Sequence, residues 1–165
     1  GIEAYNGSLG QGISMAVGIA LSAKRKKRDY HEYTIIANCE SDEGLVWEAL
    51  ASASHFQLDN FTLILDDNKF QNDGASETVM YYPNYKERLH AFGFDAAEID
   101  GHNISEICKA LRSRHTEKKP KAVVANTIKG YGISFMENDN SWHHNRLTQK
   151  NYEQAMRELE ESIWR

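Results

Sequence analysis

The feature that most restricts the fold of this chain is a repeated switch in hydrophobic period. Short apolar runs alternate with longer segments in which apolar residues recur every three or four positions. Thr34-Ile35-Ile36-Ala37, residues 61–65 and Ala122-Val123-Val124-Ala125 read as strands, with a weaker one at 95–99. Helical spacing predicts helices over 9–28, 43–56, 85–92, 104–114 and 148–164. Strands that are apolar throughout must be covered on both faces, so the alternation predicts a mostly parallel sheet with helices on each side. Right-handed crossovers make this a doubly wound α/β layer. Ligands of such sheets lie beyond the carboxyl ends of the strands, at the loops after residues 37, 65, 99 and 126.

The core faces follow from the same spacing. Leu9, Ile13, Ala16, Val17, Ala20 and Leu21 share a side of the first helix, and Leu45, Val46, Ala49, Leu50 and Ala53 share a side of the second. Tyr152, Met156, Leu159 and Ile163 do so on the last helix, and Asn103 or Ser105 is placed to cap helix 104–114. With 165 residues, 41% of them hydrophobic, the chain can bury one substantial core. A net charge of −5 argues against a dedicated nucleic-acid binder. The run Lys24-Arg25-Lys26-Lys27-Arg28 reads as a solvated last helix turn favoured by the helix dipole. Cys39 and Cys108 are too few for a disulfide framework or a zinc cluster, and fit reduced thiols in a cytoplasmic protein. No apolar stretch reaches the roughly 18 residues of a membrane span.

Two of the strand-end loops are crowded with side-chain oxygens. Asn38-Cys39-Glu40-Ser41-Asp42-Glu43-Gly44 follows the first strand, and residues 66–74 follow the second. Such oxygens suit a hard cation that shares its shell with phosphate and water, although Asn, Asp and Gly also form caps and turns. An EF-hand reading with Asp66 first fails, because Phe70 falls at the fifth position and Gln71 where glycine is required. Lys129 stands between a strand and two glycines, where it can approach an anion. His143, beside Trp142, fits a core histidine or a functional one equally well.

Taken together these segments resemble a known family. Gly7-Ser8-Leu9-Gly10-Gln11-Gly12, Glu43-Gly44-Leu45-Val46-Trp47-Glu48-Ala49, Leu58-Asp59-Asn60, Asp67-Asn68, Gly101-His102-Asn103, Thr127-Ile128-Lys129-Gly130 and Trp142-His143 occur in the order found in transketolase. The chain resembles that family's thiamine-diphosphate-binding (PP) domain over residues 1–165, in the form of the N-terminal subunit of split transketolases. The resemblance implies thiamine diphosphate and Mg²⁺ as cofactors. It implies that Gly7, Ser8 and Leu9 approach the cofactor's aminopyrimidine and diphosphate. Asn68 matches the metal-binding asparagine, and Phe70 the residue whose backbone carbonyl ligates. Lys129 matches a cofactor-contacting lysine, and His143 a catalytic-site histidine near the diphosphate and the donor sugar. Glu43 and Glu48 match acidic residues at the subunit interface.

The resemblance also implies a homo- or hetero-oligomer with a pyrimidine-domain subunit. The assembly would act on a sugar or sugar phosphate by transfer of a two-carbon ketol unit. The family's segment upstream of Gly7-Ser8-Leu9-Gly10-Gln11-Gly12, which supplies catalytic histidines and one strand, is expected to be missing. The family's Gly-Asp-Gly metal motif falls on Ala37-Asn38-Cys39, thirty residues before Asn68 as the motif requires. Asn38 keeps an oxygen ligand for the metal but loses a charge. Cys39 puts a side chain where glycine lets backbone N–H groups reach the diphosphate. These departures keep two further readings open: a degenerate, non-catalytic subunit that stabilises or regulates a partner, and a thiamine-diphosphate enzyme of altered reaction.

Overall fold

The computed structural model describes residues 2–80, 82–113 and 118–163, with 162 and 163 described by backbone alone. Four strands, β1 (Glu32–Ala37), β2 (Phe61–Asp67), β5 (Asp95–Asp100) and β6 (Lys121–Asn126), form one parallel sheet in the order β1-β2-β6-β5. Its register aligns Ile36, Leu65 and Val124 on one face and Ile35, Ile64 and Val123 on the other. Helix α1 (Gln11–Arg25) precedes the sheet, α2 (Gly44–His55), α4 (Tyr85–Ala91) and α5 (Ile104–Arg112) lie between its strands, and α6 (Gln149–Ile163) follows it. The predicted doubly wound α/β architecture is therefore the observed one. Arg114 and Trp164, placed in helices by sequence, lie outside the described residues, as does the side chain of Ile163.

One core joins Ile13, Val17 and Ala20 of α1 to Val46, Leu50 and Ala53 of α2, and both to Ile36, Leu63, Leu65 and Val124 of the sheet. Leu89 of α4 and Phe94 extend it, with the Phe94 ring edge-on to Phe61 at 6.4 Å. The small side chains of Ala16 and Ala20 on α1 and of Ala49 and Ala53 on α2 all lie within this core. On the opposite face, Lys121 is buried and donates to the carbonyl of Ala110 at 2.6 Å and that of Ser113 at 3.0 Å. A cation is thus held at the carboxyl end of α5, where the helix dipole favours it.

Some predicted core positions are exposed instead. Leu9 lies ahead of α1 and Leu45 opens α2, so each sits at a helix start rather than against the sheet; their exposures are 49% and 39%. Tyr152, Met156 and Leu159 on α6 are also exposed, whereas Ala155 of that helix is buried. Lys24 of the basic run is not merely solvated, since its ammonium pairs with Asp59 at 2.7 Å. Residues 66–76 contain structure that composition did not disclose. Asn72 and Asp73 turn a hairpin between β3 (Phe70–Gln71) and β4 (Gly74–Ala75), which leads into the single turn α3 (Ser76–Val79).

The capping expectation holds at Asn103. Its side-chain oxygen accepts from the Glu106 amide at 3.2 Å, and the Glu106 carboxylate accepts in return from the Asp100 amide at 3.0 Å. Replacing Asn103 with alanine should cost about 1 kcal/mol of stability, read as a lower urea midpoint with an unchanged slope.

Candidate functional site

The strand-end loops meet at the carboxyl edge of the sheet. Directly after β1, residues Asn38–Asp42 form a 3-10 turn. Asn38 is fully buried, and its amide nitrogen donates to the Ser76 hydroxyl at 2.6 Å. Ser41 donates to the Asn38 carbonyl at 2.5 Å and lies 3.1 Å from the Tyr85 hydroxyl. Burial, with Asp67 and Asp42 nearby, pushes the Tyr85 phenol up to about 12, so it stays a neutral donor. The Asn38 side-chain oxygen has no partner, although the side chain is completely enclosed. An unsatisfied buried acceptor costs roughly 1–3 kcal/mol unless something binds it. A hard cation is the kind of group that would.

Asn68 starts the next loop. Its oxygen accepts from the Phe70 amide at 3.0 Å, and its nitrogen donates to Asp66 at 3.0 Å. This Asx turn sets the entry to the β3–β4 hairpin. An amide oxygen has two acceptor sites, so Asn68 retains one for a cation. Asp66 is further engaged by the Thr127 hydroxyl, and Asp67 pairs with Lys69. Among the described residues, no group of three or more His, Cys, Asp and Glu side chains is arranged to hold a metal. The oxygens that the sequence offered for a Mg²⁺ ion, on the Asn38 and Asn68 side chains and the Phe70 backbone, are neutral. Such a set needs charge from its ligand, and a diphosphate supplies it.

The Gly7-Ser8-Leu9 turn is exposed, with the Ser8 amide donating to Asn6 at 2.6 Å. It is tied to the β1 loop by a contact that the sequence did not reveal. Glu40 accepts from the Gly10 amide at 2.9 Å, and Gly10 adopts φ +78° against Glu43 and Leu45. Cys39, between Asn38 and Glu40, is half-buried, and burial raises its thiol above the ordinary range. Glu43 and Glu48 are exposed at and near the start of α2, and Glu48 lines a shallow groove with exposed Leu45 and with Ser14 and Val17 of α1.

Beyond β6 and β5, two more loops are bound together. His102 accepts from the Ile128 amide at 2.8 Å through Nε2 and stacks on Tyr131 at 3.7 Å. A Cβ on Gly101 would overlap Thr127 and the Asn126 carbonyl, so only glycine lets these strand ends approach so closely. The next residues carry Lys129, whose ammonium lies 3.1 Å from Nδ1 of His143. His143 sits in a second 3-10 turn, Asn140–His144, and Asn140 of that turn donates to the Asn72 carbonyl of the hairpin at 3.1 Å. Partial burial and the Lys129 charge hold the His143 imidazole below its usual range. His143 is exposed rather than a core residue.

The structure thus pairs Asn68 with Phe70 and Lys129 with His143, while Asn38 bonds to Ser76 rather than to Asn68. Glu40, Ser76 and His102 were not singled out as site residues. Each is joined to the site by a contact between residues at least 26 positions apart.

Residues 1–161 match the family model described as the transketolase, thiamine diphosphate binding domain. The chain is 40% identical over 164 residues to an apulose-4-phosphate transketolase component of Phocaeicola vulgatus, covering 99% of this chain and 58% of the relative. It is 40% identical to the 6-deoxy-6-sulfo-D-fructose transketolase subunit SqwG of a Clostridium species, over 97% of this chain and 58% of the relative. It therefore spans under two-thirds of the length of these relatives. A crystal structure of transketolase from Campylobacter jejuni superimposes with a TM-score of 0.89 at 31% identity, covering 96% of this chain and 26% of that one.

Proposed function

Because the chain belongs to the family of the transketolase thiamine-diphosphate-binding domain, we propose that it is the diphosphate- and metal-anchoring component of a split transketolase-like enzyme. The reading rests on one observation above the others: the buried, unpartnered oxygen of Asn38, at the position of the family's metal-binding aspartate. In this role Asn38, Asn68 and the Phe70 carbonyl would hold Mg²⁺. Gly7, Ser8 and Leu9 would lie along the cofactor, with Cys39 at its diphosphate, and Glu40 would keep that turn fixed to the metal loop. Lys129 and His143 would offset the diphosphate charge, and His143 would also face the donor sugar.

When bound, thiamine diphosphate supplies the electron sink for moving a two-carbon ketol unit between sugars. This chain's residues bind and orient; a pyrimidine-domain subunit would complete the acid–base chemistry. Glu43 and Glu48, exposed beside Leu45, would face that subunit or a second copy. The two relatives are named for a phosphorylated and a sulfonated ketose, which supports an anionic ketose as donor.

The test is a calorimetric titration of the chain with its partner subunit, using thiamine diphosphate with and without Mg²⁺, followed by product analysis. Mg²⁺-dependent binding and two-carbon transfer are expected. Absence of binding overturns the proposal in favour of a non-catalytic, partner-stabilising subunit, the reading that the departures at 38 and 39 from the family's metal motif keep open. Binding with a different product moves the chain to another reaction.

A further inference from the structure

The hydrogen bond between Lys129 and His143 carries information about where the imidazole proton sits. A lysine ammonium has three donors and no acceptor. Its Nζ lies 3.1 Å from Nδ1 of His143, so Nδ1 must be the accepting nitrogen. In the neutral ring the proton then resides on Nε2.

The arrangement is built rather than incidental. Asn138 donates to the Lys129 carbonyl at 2.9 Å, closing the loop 129–138. Gly130 has φ +75°, and a Cβ there would overlap the Met136 carbonyl, so the two arms of the loop are in backbone contact. Asp139, the next residue, caps the turn that carries His143 by accepting from the Ser141 amide at 2.9 Å. Phe135 packs on Trp142 at 5.2 Å, bracing the same turn. Lys129 opens that closed loop and His143 lies in the turn that follows it, fourteen positions on, so the two are brought together by the braced loop and turn.

We propose that Lys129 is a positioning residue that holds His143 as its Nε2–H tautomer, so that His143 serves as a hydrogen-bond donor to ligand oxygens and not as a proton acceptor. The ligand chemistry is an anionic or hydroxylic oxygen, the diphosphate or sugar already proposed for this site; that identity, but not the tautomer, rests on the proposed function. The charged and titratable groups around His143 are Lys129, His144 and Asp73. Lys129 and His144 oppose protonation of the ring, whereas Asp73 favours it.

The experiment is a long-range ¹H–¹⁵N correlation spectrum of the imidazoles in the full chain without cofactor. His143→Gln identifies the signal among the seven histidines. The wild type should show Nε2–H with a pyridine-like Nδ1 as its dominant neutral form. Lys129→Met should populate the Nδ1–H form and raise the pH at which the ring protonates, while Lys129→Arg, which keeps a donor, should restore the wild-type pattern. A wild-type ring protonated on Nδ1 overturns the proposal without any variant. So does an unchanged tautomer ratio in a folded Lys129→Met chain. Because no cofactor is present, this outcome is independent of the thiamine diphosphate titration, and either can fail while the other stands.

Discussion

Asn38→Asp should tighten Mg²⁺ binding in the presence of thiamine diphosphate by about 10- to 100-fold. A unit charge about 4 Å from a cation is worth on the order of 4 kcal/mol gross at an effective dielectric near 20. Desolvation removes part of this, and a retained ~1.4–2.8 kcal/mol corresponds to that range. The side chain has room for the change: Ser76 Oγ, now an acceptor from the Asn38 nitrogen, can reverse its hydroxyl and donate to a carboxylate. Without metal the same substitution should destabilise the fold by roughly 1–3 kcal/mol, since a fully buried carboxylate lacks compensation there. Thermal melts of the variant should therefore depend on Mg²⁺ and diphosphate far more steeply than those of the wild type. A metal titration that does not move would remove Asn38 from the cation site and leave its orphaned oxygen without that explanation.

Gly130→Ala should be the most damaging single-methyl change in the loops, costing about 2 kcal/mol or more. Two effects combine there. The backbone is left-handed at φ +75°, and the added carbon would collide with the Met136 carbonyl, which cannot swing aside as a side chain can. Gly132 provides the control. Its φ is +89°, but a Cβ would meet nothing closer than Leu159 Cδ2 at 3.6 Å. Gly132→Ala should thus show backbone strain alone, on the order of 1 kcal/mol. Asparagine, which tolerates this conformation, should relieve the cost at 132 but not at 130. Urea midpoints of the four variants separate the two causes. The His143 imidazole spectrum should lose its wild-type form in Gly130→Ala, because the loop closure that places Lys129 is the part disturbed.

Much of the architecture was legible because burial writes itself into period. The wholly apolar run Ala122-Val123-Val124-Ala125 read as a strand of a sheet covered on both faces, and in the structure it pairs on both sides. The β3–β4 hairpin was not legible, since two-residue strands are too short for alternation to register. Leu9 and Leu45 misled for a different reason: helical spacing reports which residues share a side, not where the helix begins relative to the sheet. At the site, residue types drew attention to the oxygen-rich strand-end loops and to Lys129, and only the family resemblance singled out Asn38, Asn68 and His143. The Asn38–Ser76, Glu40–Gly10 and His102–Ile128 contacts were invisible, because each depends on how distant loops converge once the sheet has formed.

The strand order has a consequence for how the chain is made. β6 lies between β2 and β5, although both of those strands precede it in sequence, and Thr62 pairs with Lys121. During translation β2 therefore emerges with one edge unsatisfied and β5 with no neighbour in the sheet, until residues 121–126 leave the ribosome. Nascent chains arrested before that point carry apolar strands without partners, the species most in need of chaperone protection. Completion of the sheet waits on its central strand.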